Sequence, residues 1–366
     1  MGIEKAIWKA RYYAKSFIPF WDRRIGFYEN FGHGDLGDDT AFEVAEQKIN
    51  QPLLPLSKRC NAFVPYRLKG LLIGGRAVFR WESPYVPRRL FSRKRWPFPV
   101  VLLAAGVNRD FNVEISRETK NMLCSLVDRC DYLSVRDLMS QRFLSDLGIY
   151  NTAIVPDLEL ALKPVSWELP FSKEGPTVGI TVSPHSAFKE KIIERLITSI
   201  VTFIDYVNQG DQNVVFFPFD QIGADSTREK DMIANICKRV KNPQRVKVLQ
   251  QHVSPGEMLF AIKELCDRMI CTRLHSVAMA TNAHIPFVVI SFNDMHKAFL
   301  EMVELKECEI SLFDELSAEK LILKDEYVVS CYNKIQDQLK KRHYKLSQMI
   351  EKEFLTIKKV LLCEKD

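Results

Sequence analysis

Cys271-Thr272-Arg273-Leu274-His275-Ser276 is the stretch of this sequence richest in chemistry. A guanidinium grips a carboxylate or phosphate with a planar fork, and an imidazole two residues on exchanges a proton near neutral pH. The stretch follows apolar Met269–Cys271 and precedes the small-residue run Val277–Asn282, which reads as strand, turn and helix. First-turn amides of such a helix, the guanidinium and the imidazole then converge on one anion. Downstream, Phe292-Asn293-Asp294-Met295-His296-Lys297 follows another apolar strand, Phe287–Ser291. Lys297 there adds a cation to the same pocket, and a plain polar loop is the equal alternative. His185, His252, His284 and His343 are read as structural or exposed.

A second group lies in Phe31–Thr40, with Gly32, Gly34 and Gly37 ahead of the helical run Ala41–Ile49. Asp38 and Asp39 fall at the start of that helix, where the positive end of its dipole keeps a carboxylate ionised. Such a carboxylate accepts a proton from a sugar hydroxyl. On spacing alone, a capped helix start with turn glycines is the plainer reading. The glycines match the dinucleotide pattern GxGxxG literally, but a dinucleotide site is set aside. No clear apolar strand precedes them, two carboxylates occupy the place of a pyrophosphate, and no Asp or Glu between Ile49 and Gly75 is there to hold a ribose. Gly74-Gly75-Arg76 closes an apolar run, and Arg76 is placed to address an anion. Ser134-Val135-Arg136-Asp137 puts Arg136 at a strand-to-helix junction, as a cleft cation or as the local ion partner of Asp137.

These residues need a scaffold, and the hydrophobic pattern supplies one. Gly70–Gly75, Val100–Gly106, Tyr132–Val135 and Ala153–Pro156 read as buried strands, with helices over Glu114–Asp128 and Arg136–Leu147. Lys163–Pro176, with Pro164, Pro170, Gly175 and Pro176, breaks the pattern. Alternation resumes with strands at Thr177–Val182, Asn213–Pro218, Val246–Leu249, Arg268–Cys271 and Phe287–Ser291. Helices fall within Phe188–Gly210, at Thr227–Val240, after Ser254, and from Ser276. Tyr327–Lys359 reads as a long charged amphipathic helix or a pair of helices. Such alternation predicts an α/β fold of two Rossmann-like, doubly wound domains facing across a cleft. The expected boundaries are a basic aromatic segment at 1–24, a first domain at 25–165, a linker at 166–176, a second domain at 177–325, and C-terminal helices at 326–366. Ligands of such sheets bind beyond the carboxyl ends of the strands, so polar residues just after apolar strands carry the most weight.

The whole chain of 366 residues is of ordinary globular composition, 46% hydrophobic and 27% charged, which excludes a disordered class. Its longest apolar run, Trp96–Gly106, is about half a membrane span. With no apolar leader pattern, a cytoplasmic protein is expected. Nine scattered cysteines without a CxxC pair are read as reduced and structural, with no zinc site. The net charge of +6 gathers in the first hundred residues, above all at Arg88, Arg89, Arg93, Lys94 and Arg95. That suits an anionic small ligand or an anionic membrane face, and no nucleic-acid motif accompanies it. Gly2–Arg24 interleaves aromatic and basic residues, consistent with peripheral contact at the inner face of a membrane or with packing on the first domain.

In order and spacing, these elements resemble the polysaccharide pyruvyl transferase family from about Asn30 to Leu305. The resemblance is carried by Gly34-Asp35-Leu36-Gly37-Asp38-Asp39, Gly74-Gly75, Val135-Arg136-Asp137 with Ser140, and Val155-Pro156-Asp157. It continues through Arg273-Leu274-His275-Ser276, Ile285-Pro286 and Ser291 to Lys297. It implies a fold like B-type glycosyltransferases and transfer of a pyruvyl group from phosphoenolpyruvate onto two sugar hydroxyls, giving a ketal. It implies donor binding by the segment Arg273, Leu274 and His275, to which we add Arg136, Lys297 and Ser276. His275 is the expected acid and Asp38 the expected base. Asp35, Asp39, Gly75 and Arg76 are assigned to the acceptor. Asp35 stands where the family often has Asn, and Arg76 where it often has a third glycine, which bears on acceptor choice. The expected partners are phosphoenolpyruvate and a saccharide or lipid-linked oligosaccharide, with no nucleic acid, no metal and no cofactor. Two rival readings are a nucleotide-sugar glycosyltransferase on the same fold and a non-catalytic member of an envelope-polysaccharide assembly.

Overall fold

The computed structural model describes residues 24–28, 35–56, 68–74, 79–80, 96–108, 116–184, 188–221, 224–250 and 252–363. The basic aromatic segment up to Arg23, the Arg88–Arg95 cluster, His185, Gly75 and Arg76 lie outside them. The chain divides into two compact units. Unit one comprises 1–33, 38–161 and 345–366, and unit two comprises 34–37 and 162–344. This differs from the boundaries read from sequence in three ways. Residues Gly34–Gly37 belong to unit two. The stretch expected as a linker does too, because Val165 N–H donates to the Gly256 carbonyl at 2.9 Å and the Trp167 indole donates to the Glu257 carbonyl at 3.0 Å. The last helix ends in unit one rather than forming a separate piece.

Unit one carries β1 (Arg24–Tyr28), most of α1 (Leu36–Ile49), β2 (Leu54–Leu56), β3 (Leu68–Gly74), β4 (Phe79–Arg80), β5 (Val100–Ala105), β6 (Val107–Asn108), α2 (Arg117–Val127), β7 (Tyr132–Val135), α3 (Leu138–Asp146) and β8 (Ala153–Ile154). Its six-stranded sheet runs β2-β1-β3-β5-β7-β8 and every pairing is parallel. All six side chains of β5, Val-Val-Leu-Leu-Ala-Ala, are buried, as a strand covered on both faces requires. Gly74 takes φ +145°, and a Cβ there would run into the Leu103 carbonyl, so close pairing of β3 with β5 demands the glycine. β1 corrects the sequence reading, since a strand does precede the glycine turn, and that ground for setting aside a dinucleotide fails. The two carboxylates at the start of α1 remain.

Unit two carries β9 (Thr177–Ile180), α4 (Glu190–Gln209), β10 (Asn213–Phe216), α5 (Ala224–Arg239), β11 (Val246–Val248), α6 (Pro255–Leu265), β12 (Arg268–Cys271), α7 (Leu274–Ala283), β13 (Phe287–Ser291), α8 (Asp294–Val303), β14 (Glu309–Ser311) and α9 (Ala318–Ser330). The long α10 (Tyr332–Leu362) follows. The sheet is again wholly parallel, in the order β11-β10-β9-β12-β13-β14. Numbered by chain order within the sheet this is 3-2-1-4-5-6, so the winding reverses between β9 and β12. α4 buries Leu196, Ile197, Ile200, Phe203, Ile204 and Val207, the stripe expected of an amphipathic helix. α6 starts in a full capping box, with Glu257 N–H donating to Ser254 Oγ at 3.3 Å and Ser254 N–H to Glu257 Oε2 at 2.6 Å.

The start of β12 is anchored from below. Arg268 forks onto Asp325 of α9, Nε–Oδ1 at 2.6 Å and Nη2–Oδ2 at 2.8 Å, with both groups buried. His284, left-handed at the end of α7, meets His343 of α10 ring to ring, nitrogens 2.8 Å apart. Burial, then the neighbouring His343, presses the His284 imidazole down to about 4. Both fit the structural role read from sequence. No helix among the described residues is long and apolar enough to cross a membrane.

Candidate active site at the carboxyl end of β12

The point where winding reverses in unit two is where β9 and β12 end side by side, and their ends are stitched together. Thr272 N–H donates to Thr181 Oγ1 at 3.2 Å, and Thr272 Oγ1 donates to the Thr181 carbonyl at 3.1 Å. Ser276 Oγ donates to the Arg273 carbonyl at 2.7 Å and lies 2.9 Å from Thr181 Oγ1. These bonds fix the turn that launches α7. The helix starts at Leu274, two residues earlier than the sequence pattern placed it, with Arg273 as its N-cap. Arginine offers no side-chain oxygen to first-turn amides, and Ser276 N–H donates instead to the Arg273 carbonyl at 3.1 Å, with the positive helix end at the carboxyl end of β12. Leu274 and His275 are therefore first-turn residues, Leu274 buried and His275 half-buried.

Arg273 sits among carboxylates. Its Nη2 is bonded to Asp220 Oδ2, its Nε lies 3.6 Å from Glu229 Oε1, and Nε also donates to the Val182 carbonyl at 3.4 Å. Its side chain is 11% exposed. Burial works to lower its basicity, but Glu229, Asp220 and Asp35 outweigh that and hold it charged above the usual arginine value. Burial likewise pushes the Glu229 carboxyl up to about 7, against the pull of Arg273. Asp220 and Glu229 were not singled out from sequence. The signal for Asp220 was present, since it closely follows apolar β10. Glu229 had none, because it lies inside a helix.

Asp35, Leu36 and Gly37 come to the same place. Asp35 pairs with Asp220 as an antiparallel bridge, and Leu36 N–H donates to the Phe219 carbonyl at 3.2 Å. Asp35 Oδ1 accepts Gly37 N–H at 2.9 Å, capping α1. A Cβ at Gly37 would overlap the His275 ring. The glycine thus seats the imidazole against backbone, and no side chain fits between them.

The other residues read from sequence fall as follows. Ser276 is fully buried and its hydroxyl is committed to the turn, so it supports the site from within instead of facing a ligand. Lys297 is exposed on the first turn of α8, a helix where the sequence left a polar loop. Asp38 and Asp39 are buried in the first turn of α1, in unit one. Arg136 is also in unit one and only 3% exposed. Its Nη1 pairs with Asp157 at 3.3 Å and its Nε with Asp137 at 3.5 Å. Burial opposes its charge, and Asp157, Asp137 and Glu159 sustain it. The local ion-pair reading of Arg136 with Asp137 is therefore realised, with Asp157 as an additional partner.

Across 94% of this chain and 99% of the other, the fold is similar to S. aureus MnaA in complex with UDP, at TM-score 0.62 and 10% identity. UDP-GlcNAc 2-epimerase from Neisseria meningitidis, bound to UDP-GlcNAc, gives TM-score 0.57 at 10% identity, covering 92% of this chain and 99% of that one. At such identity the likeness is one of fold, the GT-B-like arrangement of two parallel α/β sheets. No curated protein matches the sequence. The family model described as polysaccharide pyruvyl transferase matches residues 35–294.

Proposed function

This chain belongs to the polysaccharide pyruvyl transferase family, and from that premise we propose that it transfers the pyruvyl group of phosphoenolpyruvate onto two hydroxyls of a saccharide. The observation that carries the reading is the placement of Arg273 and His275 together at the reversal point of the unit-two sheet, with the ring seated on Gly37. The donor carries a phosphate and a carboxylate. The Arg273 cation and the positive end of α7 suit one of these groups, and exposed Lys297 is the candidate for the other. His275 as imidazolium delivers its proton to the methylene carbon of the enol. The oxocarbenium-like carbon that results is attacked by a sugar hydroxyl, whose proton passes to Asp38. The second hydroxyl attacks the same carbon, its proton returns to the now neutral His275, and phosphate leaves as the ketal ring closes. Charge stabilisation by fixed cations and amides supplies the catalytic electrostatics. Asp35, Asp39, Gly75 and Arg76 remain the acceptor-side candidates.

The test is incubation with phosphoenolpyruvate and a panel of glycans, lipid-linked ones included. Phosphate release with the mass gain of a pyruvate ketal on the sugar is expected. Turnover of a nucleotide sugar, with no phosphate released from phosphoenolpyruvate, would replace this reading by glycosyl transfer. A finer check is Gly37→Ala. The added methyl displaces the imidazole, and misplacement of about an ångström costs on the order of 10²-fold in rate. The ring is the far end of a flexible side chain, so Tm should fall far less than activity. Unchanged kcat would show that the ring position is irrelevant.

A further inference from the structure

Glu229 touches both parts of this site while touching no candidate substrate position itself. Its carboxylate side chain is 0% exposed. Oε2 accepts the Asp220 amide at 2.7 Å, Oε1 accepts the Phe219 amide at 3.3 Å, and Oε1 is also the oxygen 3.6 Å from Arg273 Nε. Phe219 and Asp220 are in turn the residues that receive Asp35 and Leu36, through the Leu36 amide and the bridge to Asp35. One buried side chain therefore sets the direction of the guanidinium and, through two backbone amides, the seat of the imidazole.

From this geometry we infer that Glu229 is a positioning residue, which locks Arg273 and the Asp35–Gly37 turn into a single register. A carboxylate does this where an amide cannot. Both oxygens accept backbone N–H, and replacing one by NH2 sets a donor against a donor. Aspartate keeps the charge but is one methylene too short to span the same partners.

The placement also yields a signal. The Glu229 carboxyl titrates near 7 because burial raises it, and Asp220 adds to that. Arg273 and the two amides pull the other way. The remaining charge beside the guanidinium is Asp35. Helix α4, packed on α5, meets it through the Glu194–Arg239 pair at the last turn of α5. As pH rises through about 7, the carboxyl ionises, and every group it positions should report the change.

The inference rests on the pyruvyl-transfer reading in its kinetic arm only. In the full-length protein, the amide resonances of Phe219, Asp220 and Leu36 should share one titration midpoint near 7, and Glu229→Gln should abolish all three steps. In the same variant, kcat with phosphoenolpyruvate should fall about tenfold or more, about 1.4 kcal/mol in barrier. Its kcat profile between pH 6 and 8 should also differ in shape from the parent. A purely structural role predicts lower Tm with an unaltered pH profile. A Leu36 amide that ignores the Asp220 step, or a folded variant with parental kinetics, overturns the inference. If Glu229→Gln does not fold, the parent titration decides alone. If the parent releases no phosphate from phosphoenolpyruvate, the functional reading has failed and the resonance arm still judges the role of Glu229.

Discussion

Replacing His275 with alanine should lower turnover by about 10²–10⁴-fold, the range spanned by a positioned general acid, and leave donor binding nearly unchanged. The imidazole is half-buried on the first turn of α7 and meets the backbone of Gly37, so its position is set by contacts on two sides. In the proposed reaction it is the acid, and Leu274 and Ser276, which flank it in the turn, offer no alternative. Calorimetry with phosphoenolpyruvate separates binding from turnover. Normal kcat in the alanine variant would remove His275 from the chemistry altogether. Loss of binding with kcat preserved would move it from acid to ligand.

Replacing Arg273 with alanine should have two effects of similar size. In the proposed reaction the donor loses a cation, so its binding should weaken. The fold also suffers, because Asp220 and Glu229 are left without their cation, and stripping one partner from a buried ion pair costs about 3–5 kcal/mol. With 11% exposure on Arg273 and Asp220 the lower end is expected, about 3 kcal/mol. The loss has a pH signature. The folded Glu229 carboxyl titrates near 7, above its unfolded value of 4.5, and Arg273 now holds it down. Its contribution to stability is complete below 4.5 and declines as pH rises through the folded value. Without Arg273 that folded value moves higher still, so the variant should be penalised more at pH 8 than at pH 6. Denaturant titrations at both pH values measure this. Arg273→Lys keeps a cation beside the carboxylates and should recover most of the stability but little of the donor affinity. An alanine variant as stable as the parent at pH 8 would contradict the ion-pair account.

Much of unit two was legible because its strands are apolar runs bounded by breakers. Arg268–Cys271 and Phe287–Ser291 fall where the pattern put them, as does Tyr132–Val135 in unit one. β1 was missed because Arg24-Ile25-Gly26-Phe27-Tyr28 opens with a charge and carries a glycine, and β14 because three residues hold no period. The start of α7 was placed late because a helix N-capped by arginine shows none of the usual oxygen-bearing caps. At the site, Arg273 and His275 were readable from local spacing. Their surroundings were not, since Asp220 lies 53 residues from Arg273 in sequence and only the sheet order joins them. Arg136 looked like a cation in search of an anion, and nothing local distinguishes that from one already matched by Asp157, 21 residues on.

The four residues Gly34–Gly37 belong to unit two although the chain on either side belongs to unit one. The unit that holds Arg273 and His275 is therefore not a self-sufficient module. A gene fragment encoding 162–344 alone would retain both side chains and lose the seat of one of them. Splitting, swapping or permuting the two halves in protein engineering must carry that short excursion along, and recombination at the apparent junction near residue 162 would yield hybrids whose imidazole rests on a foreign glycine or on none.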